Sequence, residues 1–396
     1  MAKVFVVCPY VPFPARHGGA IRSRVLLDAL RLDHEVTVAA AVTGDEERVA
    51  LEQLGDELGA KVWALPAHAA PRPSWWRKLG CWSSGVSELV GRRWHEADAR
   101  AMLEEVVGED DLLVADSSWT LSVVDGVADV VFLHNLEHAM FAREGGPSRG
   151  IGERLTRRME ARGLRNLERQ AVRDARLTIT VSEHDRDLAR ALAPQAKVEV
   201  VPNSVDLDAL PLLPLADPGA APRLLFVGSL DYPPNLEAVT ELCERHMSAL
   251  RAAFPSLTVR LVGKDPHGHG ARFRDVPGVE VVGPVDDLVP HYRDTHAVYL
   301  PIRSGGGTRI KILEAWALGV PVLSTAVGAE GLPADDAHVA RFETPEQGAA
   351  ALRALLAGER AATLRRNGRA LVEQRFSHAA AIARLRQLFA SAPAPR

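Results

Sequence analysis

The densest run of chemistry-bearing residues is Ser304–Ser324, SGGGTRIKILEAWALGVPVLS, with Gly305, Gly306, Gly307, Thr308, Arg309, Lys311 and Glu314 inside eleven positions. Glycines let a backbone approach a ligand closely, and the unpaired N–H groups of a helix start attract phosphate. The pattern predicts a helix that begins near Thr308 and ends at Gly319. Arg309 and Lys311 then fall in its first turn, where the helix dipole disfavours cations, so an anionic ligand is expected to compensate them. Glu314 stands three residues after Lys311, close enough to pair with it or to accept hydrogen bonds from a ribose. The plainer alternative is a glycine-rich connection with a solvated helix start.

A second signal is His134, directly after the apolar run Asp129–Leu133. A histidine at the carboxyl end of a strand can polarise or position a substrate hydroxyl, although a lone histidine also serves as a structural hydrogen-bonding group. Gly18 and Gly19 precede a helix expected from about Ala20. They offer another backbone-amide site for an anion, or simply a flexible turn; pairing with Gly305–Lys311 favours a diphosphate. Asp185-Arg-Asp187 has metal-binding spacing, but Ser182 before an acidic third position reads better as a helix cap. His267 and His269 read as loop residues. Cys8, Cys81 and Cys243 are too far apart, and odd in number, for a disulfide framework or a CxxC site. P-loop, GxSxG and complete GxGxxG patterns are absent from the sequence.

The elements that must carry these residues alternate along the whole chain. Short runs, apolar on both faces, recur at Lys3–Cys8, Glu35–Ala41, Lys61–Leu65, Leu112–Ala115, Asp129–Leu133, Leu177–Val181 and Lys197–Val201. They resume at Arg223–Val227, Leu257–Val262, Val279–Val282, Ala297–Leu300, Pro321–Leu323 and His338–Phe342. Helical stretches separate them, as parallel strands buried between helical layers require. The fold class expected is α/β, two doubly wound Rossmann-like domains facing a cleft, with ligands at the carboxyl ends of the strands. Residues 1–207 form the first domain. Pro211, Pro214, Pro218 and Pro222 mark 208–222 as a linker, 223–375 is the second domain, and 376–396 is a helix and tail expected to pack back on the first.

The 396 residues are 47% apolar and 25% charged, with a net charge of −4. Before Ser204 there are 26 basic and 30 acidic residues, and 21 of each from there on. That balance argues against a nucleic-acid binder. No apolar run approaches the ~18 residues of a membrane span, and the start reads as a first strand rather than a signal peptide. The expectation is a cytoplasmic protein.

Taken together, the Ser304–Ser324 stretch, the Pro14–Gly19 loop, Val181-Ser-Glu183, Val201-Pro-Asn-Ser-Val-Asp206, Phe226-Val-Gly-Ser229 and Thr325–Gly331 resemble retaining GT-B-fold glycosyltransferases of the family 4 type. The resemblance covers nearly the whole chain and implies transfer of a sugar from a nucleotide-diphosphate sugar to an acceptor hydroxyl. No metal or other cofactor is implied. Two positions depart from the family pattern. The first glutamate of its two-glutamate signature is Gly306 here, and the Arg and Lys it usually carries after the first strand of the second domain are Ser229 and Asn235. Arg309 and Lys311 are therefore expected to supply the missing phosphate-binding charge. The resemblance assigns Glu314 to the ribose, and Gly18, Gly19, Ser229 and Gly305–Thr308 to the donor. It places His134 at the donor sugar near the reaction centre; Asn135, Glu137 and His138 follow it closely enough to share acceptor-side contacts. The family's same-face mechanism has the leaving phosphate help take the acceptor's proton. A nucleotide-sugar 2-epimerase of the same fold, and a catalytically silent nucleotide-sugar-binding partner, are the competing readings.

The acceptor expected is a glycan, a lipid or a small metabolite. Arg154, Arg158, Arg162, Arg165, Arg169, Arg173 and Arg176 recur at helical spacing on one stripe. Pro71–Trp94 holds Trp75, Trp76, Trp82 and Trp94 among basic residues. Both features suit a peripheral contact with an anionic membrane, or a solvated helix face and a folded-down loop.

Overall fold

The computed structural model describes residues 3–15, 17–68, 80–82, 85, 87–91, 93–108, 111–124, 128–143, 151–305 and 309–391. The chain divides into two compact units, Met1–Asn203 with Ala381–Arg396, and Ser204–Ala380.

In unit 1 seven strands lie in the order β3-β2-β1-β4-β5-β6-β7: β1 Lys3–Cys8, β2 Glu35–Val42, β3 Lys61–Pro66, β4 Leu112–Asp116, β5 Val130–Phe132, β6 Leu177–Thr180 and β7 Val198–Val200. Every pairing is parallel. Strands such as β1 and β4 are buried along almost their whole length, because helices cover both faces of the sheet. The order reverses between β1 and β4, and the loops leaving their carboxyl ends bound the place where doubly wound sheets take ligands. The helix His378–Ala390 contributes Ala381, Leu385, Leu388 and Phe389 to the core of this unit, beside Val4, Val6 and Leu26. Arg384 binds Glu199 and Arg386 binds Asp33 at 2.7 Å each.

In unit 2 six parallel strands lie in the order β10-β9-β8-β11-β12-β13: β8 Arg223–Val227, β9 Thr258–Val262, β10 Val279–Gly283, β11 Ala297–Leu300, β12 Val322–Ser324 and β13 Ala340–Arg341. The reversal falls between β8 and β11. The core gathers Leu224, Phe226, Val298, Tyr299, Trp316 and Phe342. The proline-rich stretch 208–222 packs with this unit: Leu213 is buried, its N–H donates to Leu318 O, and Arg365 donates to Leu213 O.

Each of the thirteen runs read from the sequence coincides with a strand whose ends lie within two residues of it. Two helix starts also differ, by two residues each. The helix expected near Thr308 begins at Ile310, because Arg309 has extended backbone angles (φ −79°, ψ 92°) and forms the N-cap. The helix expected near Ala20 begins at Gly18, where the His17 ring accepts the Ala20 N–H. Arg176 also leaves the arginine stripe. The helix ends at Asp174, and Arg176 turns to Asp129 at 3.2 Å.

Candidate functional site

At the β1/β4 reversal of unit 1, four chain segments bring polar side chains together. The fully buried Asp116 ends β4. Its Oδ1 lies 2.6 Å from His134 Nε2, just beyond β5, and its Oδ2 accepts the Ser23 hydroxyl at 2.5 Å. His134 Nδ1 lies 3.3 Å from the Tyr10 hydroxyl, past the end of β1. Gly19 closes the group: a Cβ there would stand 2.1 Å from Tyr10 Oη and 3.3 Å from His134 Nδ1. Only a residue without a side chain lets this backbone come so near.

Buried around them, Arg22 donates to Val201 O at 2.7 Å and stacks over Phe132 at 4.1 Å. Burial pulls its guanidinium down to about 10, against the attraction of Asp116 and Asp185. Cys8 and Tyr10 are both pushed up, by burial first and by Asp116 second. Ser117, after Asp116, takes φ +90°, a left-handed conformation that is strained for a residue with a Cβ, and its N–H donates to Phe132 O at 2.7 Å.

One residue further on, Ser118 begins a neighbouring cluster. Its hydroxyl and the Glu137 N–H donate to Glu168 Oε1, at 2.9 and 2.7 Å, and His138 Nδ1 meets Glu168 Oε2 at 2.5 Å. Glu168 is fully buried on the helix Ile151–Asp174. His138 is therefore tied to a buried carboxylate, Glu137 is itself buried, and Asn135 is half-buried. Along the same helix Arg154, Arg158, Arg162, Arg165, Arg169 and Arg173 are exposed. Trp82 donates to Glu160 at 3.0 Å, and Trp94 is buried with its indole on Trp119 O. Trp75 and Trp76 lie outside the described residues.

In unit 2 the β8/β11 reversal carries the charged residues. Lys311, in the first turn of Ile310–Leu318, sends its ammonium back across the sheet end: Nζ donates to Asn235 Oδ1 at 2.7 Å and sits 4.5 Å over the Phe226 ring. A Cβ on Gly228 would come within 2.8 Å of that nitrogen. Asn235 Nδ2 donates to Ser229 O at 2.9 Å, which closes the Gly228–Asn235 loop around the lysine. Burial, then the nearby Arg309, depress Lys311 to about 7, with Glu314 opposing. Arg309 is buried and donates to Ser304 O at 3.2 Å; burial lowers it too, against Tyr232 and Glu330. Burial raises Glu314, with Lys311 opposing, and its half-buried carboxylate accepts no hydrogen bond among the described residues. Gly305 has φ +99° beside Pro234. Gly306, Gly307 and Thr308 lie outside the described residues. Alongside, Phe226, Gly228, Leu230, Gly263, Asp265 and Gly283 line a small pocket.

The structure thus gathers Gly19 with His134, and Ser229 with Lys311 by way of Asn235. Reading the sequence alone passes over Tyr10, Ser23, Asp116 and Glu168. Asp116 had a signal available, an acid ending an apolar run at a reversal strand. Ser23 and Glu168 carry none, since each looks like an ordinary helical residue. Asp185 caps its helix with Ser182 at 2.5 Å, while Asp187 is largely exposed. Among the described residues there is no group of three or more His, Cys, Asp or Glu able to hold a metal, and no helix long and apolar enough to cross a membrane.

Residues 221–358, the heart of unit 2, match the family model for Glycosyl transferases group 1. No curated protein matches the chain. Solved structures that resemble it over nearly their whole length include the following three. HepE from Anabaena in complex with UDP-glucose is 16% identical, covers 99% of this chain and 100% of its own, and has a TM-score of 0.67. The sucrose-phosphate synthase of Thermosynechococcus elongatus is 17% identical with 98% of each chain covered and a TM-score of 0.70. WaaG, a glycosyltransferase involved in lipopolysaccharide biosynthesis, is 16% identical, covers 96% of this chain and 98% of its own, and has a TM-score of 0.66. At such identities the likeness establishes the fold, which is the two-domain α/β GT-B fold.

Proposed function

We propose that this chain is a glycosyltransferase that moves a sugar from a nucleotide-diphosphate sugar to an acceptor hydroxyl with retention of configuration. The observation that carries the reading is the Lys311 ammonium. It reaches from the helix Ile310–Leu318 to Gly228 and Asn235, the loop in which the sequence lacks the family's usual cations. A cation relocated there supplies the phosphate contact from the other side of the same strand ends. The match of 221–358 to group 1 glycosyltransferases supports the reading, as does the UDP-glucose bound to HepE, a protein of the same fold.

Unit 2 holds the nucleotide. Lys311 and Arg309 neutralise the diphosphate, which gathers negative charge as it leaves, so the proposal includes no metal. Glu314, whose carboxylate accepts no hydrogen bond among the described residues, receives the ribose hydroxyls, and Ser229 and Gly305 line the phosphates. Unit 1 contributes Gly18 and Gly19 at a helix start and His134 for the transfer step. Asp116 and Glu168 are each committed to several donors, which argues against a protein nucleophile and a double displacement. Titration with nucleosides, nucleoside diphosphates and nucleotide sugars tests the proposal. At least one diphosphate should bind far more tightly than its nucleoside, and the matching sugar should be hydrolysed slowly when no acceptor is present. Failure of every nucleotide to bind would sink it, and binding without any turnover would favour a silent binding partner.

We also propose a peripheral contact with anionic membrane through the six exposed arginines between Arg154 and Arg173, a row that alternates with no exposed acid. Each basic residue at an anionic surface adds ~1 kcal/mol, weakened by salt. Flotation with liposomes containing phosphatidylglycerol should therefore occur at low salt and be lost at high salt. Equal behaviour with neutral liposomes would leave the stripe a solvated helix face.

A further inference from the structure

We infer that Asp116 is a positioning residue for His134: it holds the proton on Nε2 and so turns the Nδ1 lone pair toward the start of the helix Gly18–Leu30. The inference rests on the reading of His134 as the residue that acts in the transfer step. An ionised carboxylate only accepts hydrogen bonds. Asp116 Oδ2 takes the Ser23 hydroxyl and Oδ1 takes His134 Nε2, so the ring nitrogen at 2.6 Å must be the one that carries hydrogen. In the neutral ring Nδ1 is then the acceptor, and it faces the Tyr10 hydroxyl at 3.3 Å and the bare backbone of Gly19. Burial keeps the Tyr10 phenol protonated, so it can donate into that lone pair. A substrate hydroxyl brought up to Gly19 would meet the same basic atom.

The carboxylate cannot drift from this arrangement. Asp116 is the last residue of a fully buried strand, and the left-handed Ser117 behind it is pinned through its N–H to Phe132 O. The groups that face this pair are Cys8 and Tyr10 from the end of β1, Ser23 from the helix Gly18–Leu30, and the Phe132 ring from β5. The Phe132 and His134 centroids are 5.9 Å apart at 89°. Arg22, stacked over Phe132, brings the compensating positive charge that a buried carboxylate requires.

The neighbouring pair gives an internal contrast. His138 meets Glu168 through Nδ1, not Nε2. The two histidines, four residues apart, are therefore locked by buried carboxylates in opposite tautomers.

Nitrogen-15 NMR of the full chain with labelled histidine, above pH 8, tests this without any substrate. His134, identified by the signals lost in His134→Gln, should be the Nε2–H tautomer and His138 the Nδ1–H tautomer. His134 found as Nδ1–H in the wild-type protein would overturn the inference. In Asp116→Asn the negative charge that selects Nε2–H is gone and the carboxamide can donate as well as accept, so the single tautomer of His134 should be lost while the His138 signals stay, which also reports an intact fold.

Slow hydrolysis of the nucleotide sugar that binds best then supplies the kinetic arm. Asp116→Asn should lower kcat at least 10-fold with KM within threefold, and His134→Ala with Asp116→Asn should lose no more than His134→Ala alone. Independent, multiplying losses would overturn the role of Asp116 as one that acts through His134. If no nucleotide sugar binds the wild-type chain, the functional proposal fails, and the tautomer of His134 still decides the role of Asp116.

Discussion

The two strand-order reversals use polar residues in opposite ways. In unit 1 the groups around the two buried carboxylates engage one another: Asp116 receives Ser23 and His134, His134 receives Tyr10, and Glu168 receives three donors. In unit 2 the charges are pressed together and under-compensated. Burial lowers Arg309 and Lys311 and raises Glu314; among the described residues the Lys311 ammonium touches the neutral Asn235 and the face of Phe226, with the attraction of Glu314 offsetting its burial in part. The first arrangement is finished before a ligand arrives, which fixes geometry and suits a chemical step. The second is electrostatically incomplete. A dianion inserted beside Lys311 and Arg309 would be stabilised more than by water-exposed cations, because the local dielectric is low. Under the proposed function, one fold thus holds a prearranged site and one that its ligand completes.

The harshest test of that contrast is to remove the unit 2 cations. Arg309→Met with Lys311→Met should cost a nucleoside diphosphate about 3–6 kcal/mol, two charge-assisted contacts at ~1.5–3 kcal/mol each, while a bare nucleoside binds almost as before. Thermal unfolding should show an intact protein, since two poorly compensated charges have been removed. Equal losses for both ligands in the titration would mean that these residues support the fold instead.

His134→Ala, on the finished side, should behave in the reverse manner. Turnover should fall by ~10²-fold or more while nucleoside-diphosphate affinity stays within a few fold. A parallel loss of both in steady-state kinetics and calorimetry would make His134 a donor-binding residue.

Glu314→Gln separates the ribose from the phosphates. Donor affinity should drop by ~1.5–3 kcal/mol, the range for a hydrogen bond to a charged group, and the loss should be similar for a nucleoside and its diphosphate. Loss confined to the diphosphate would contradict a ribose role.

The gentlest test is pH. Lys311 is held near 7 by burial, and a bound diphosphate favours its charged form, so binding above pH 7 must take up a proton. Affinity should fall as pH rises from 7 to 9, by at most tenfold per unit. Calorimetry in two buffers of different ionisation heat should show uptake approaching one proton, and Lys311→Met should abolish it. A flat affinity across that range would mean that Lys311 does not meet the phosphate.

The sequence carried the elements and much of unit 2. Strands apolar on both faces announce themselves in one dimension, because burial between helical layers is a property of each run taken alone. The glycine-rich segment with Arg309, Lys311 and Glu314 is contiguous, so its chemistry could be read from spacing, and His134 could be suspected from its place after β5. Where the helix after Gly305 begins could not be read, because Arg309 left the helix to reach Ser304 O and be buried.

What only the tertiary structure decided is which distant residues meet. Asp116 finds Ser23 from 93 residues away and Tyr10 finds His134 across 124, and Lys311 finds Asn235 across 76. Those meetings follow from the strand orders β2-β1-β4-β5 and β9-β8-β11-β12, which set the carboxyl ends of β1 and β4, and of β8 and β11, side by side. Local sequence determines whether a segment becomes a strand, through the free energy of burying its own side chains. Which strand lies beside it depends on the packing of the whole unit, and the partners of Asp116, His134 and Lys311 were fixed at that level.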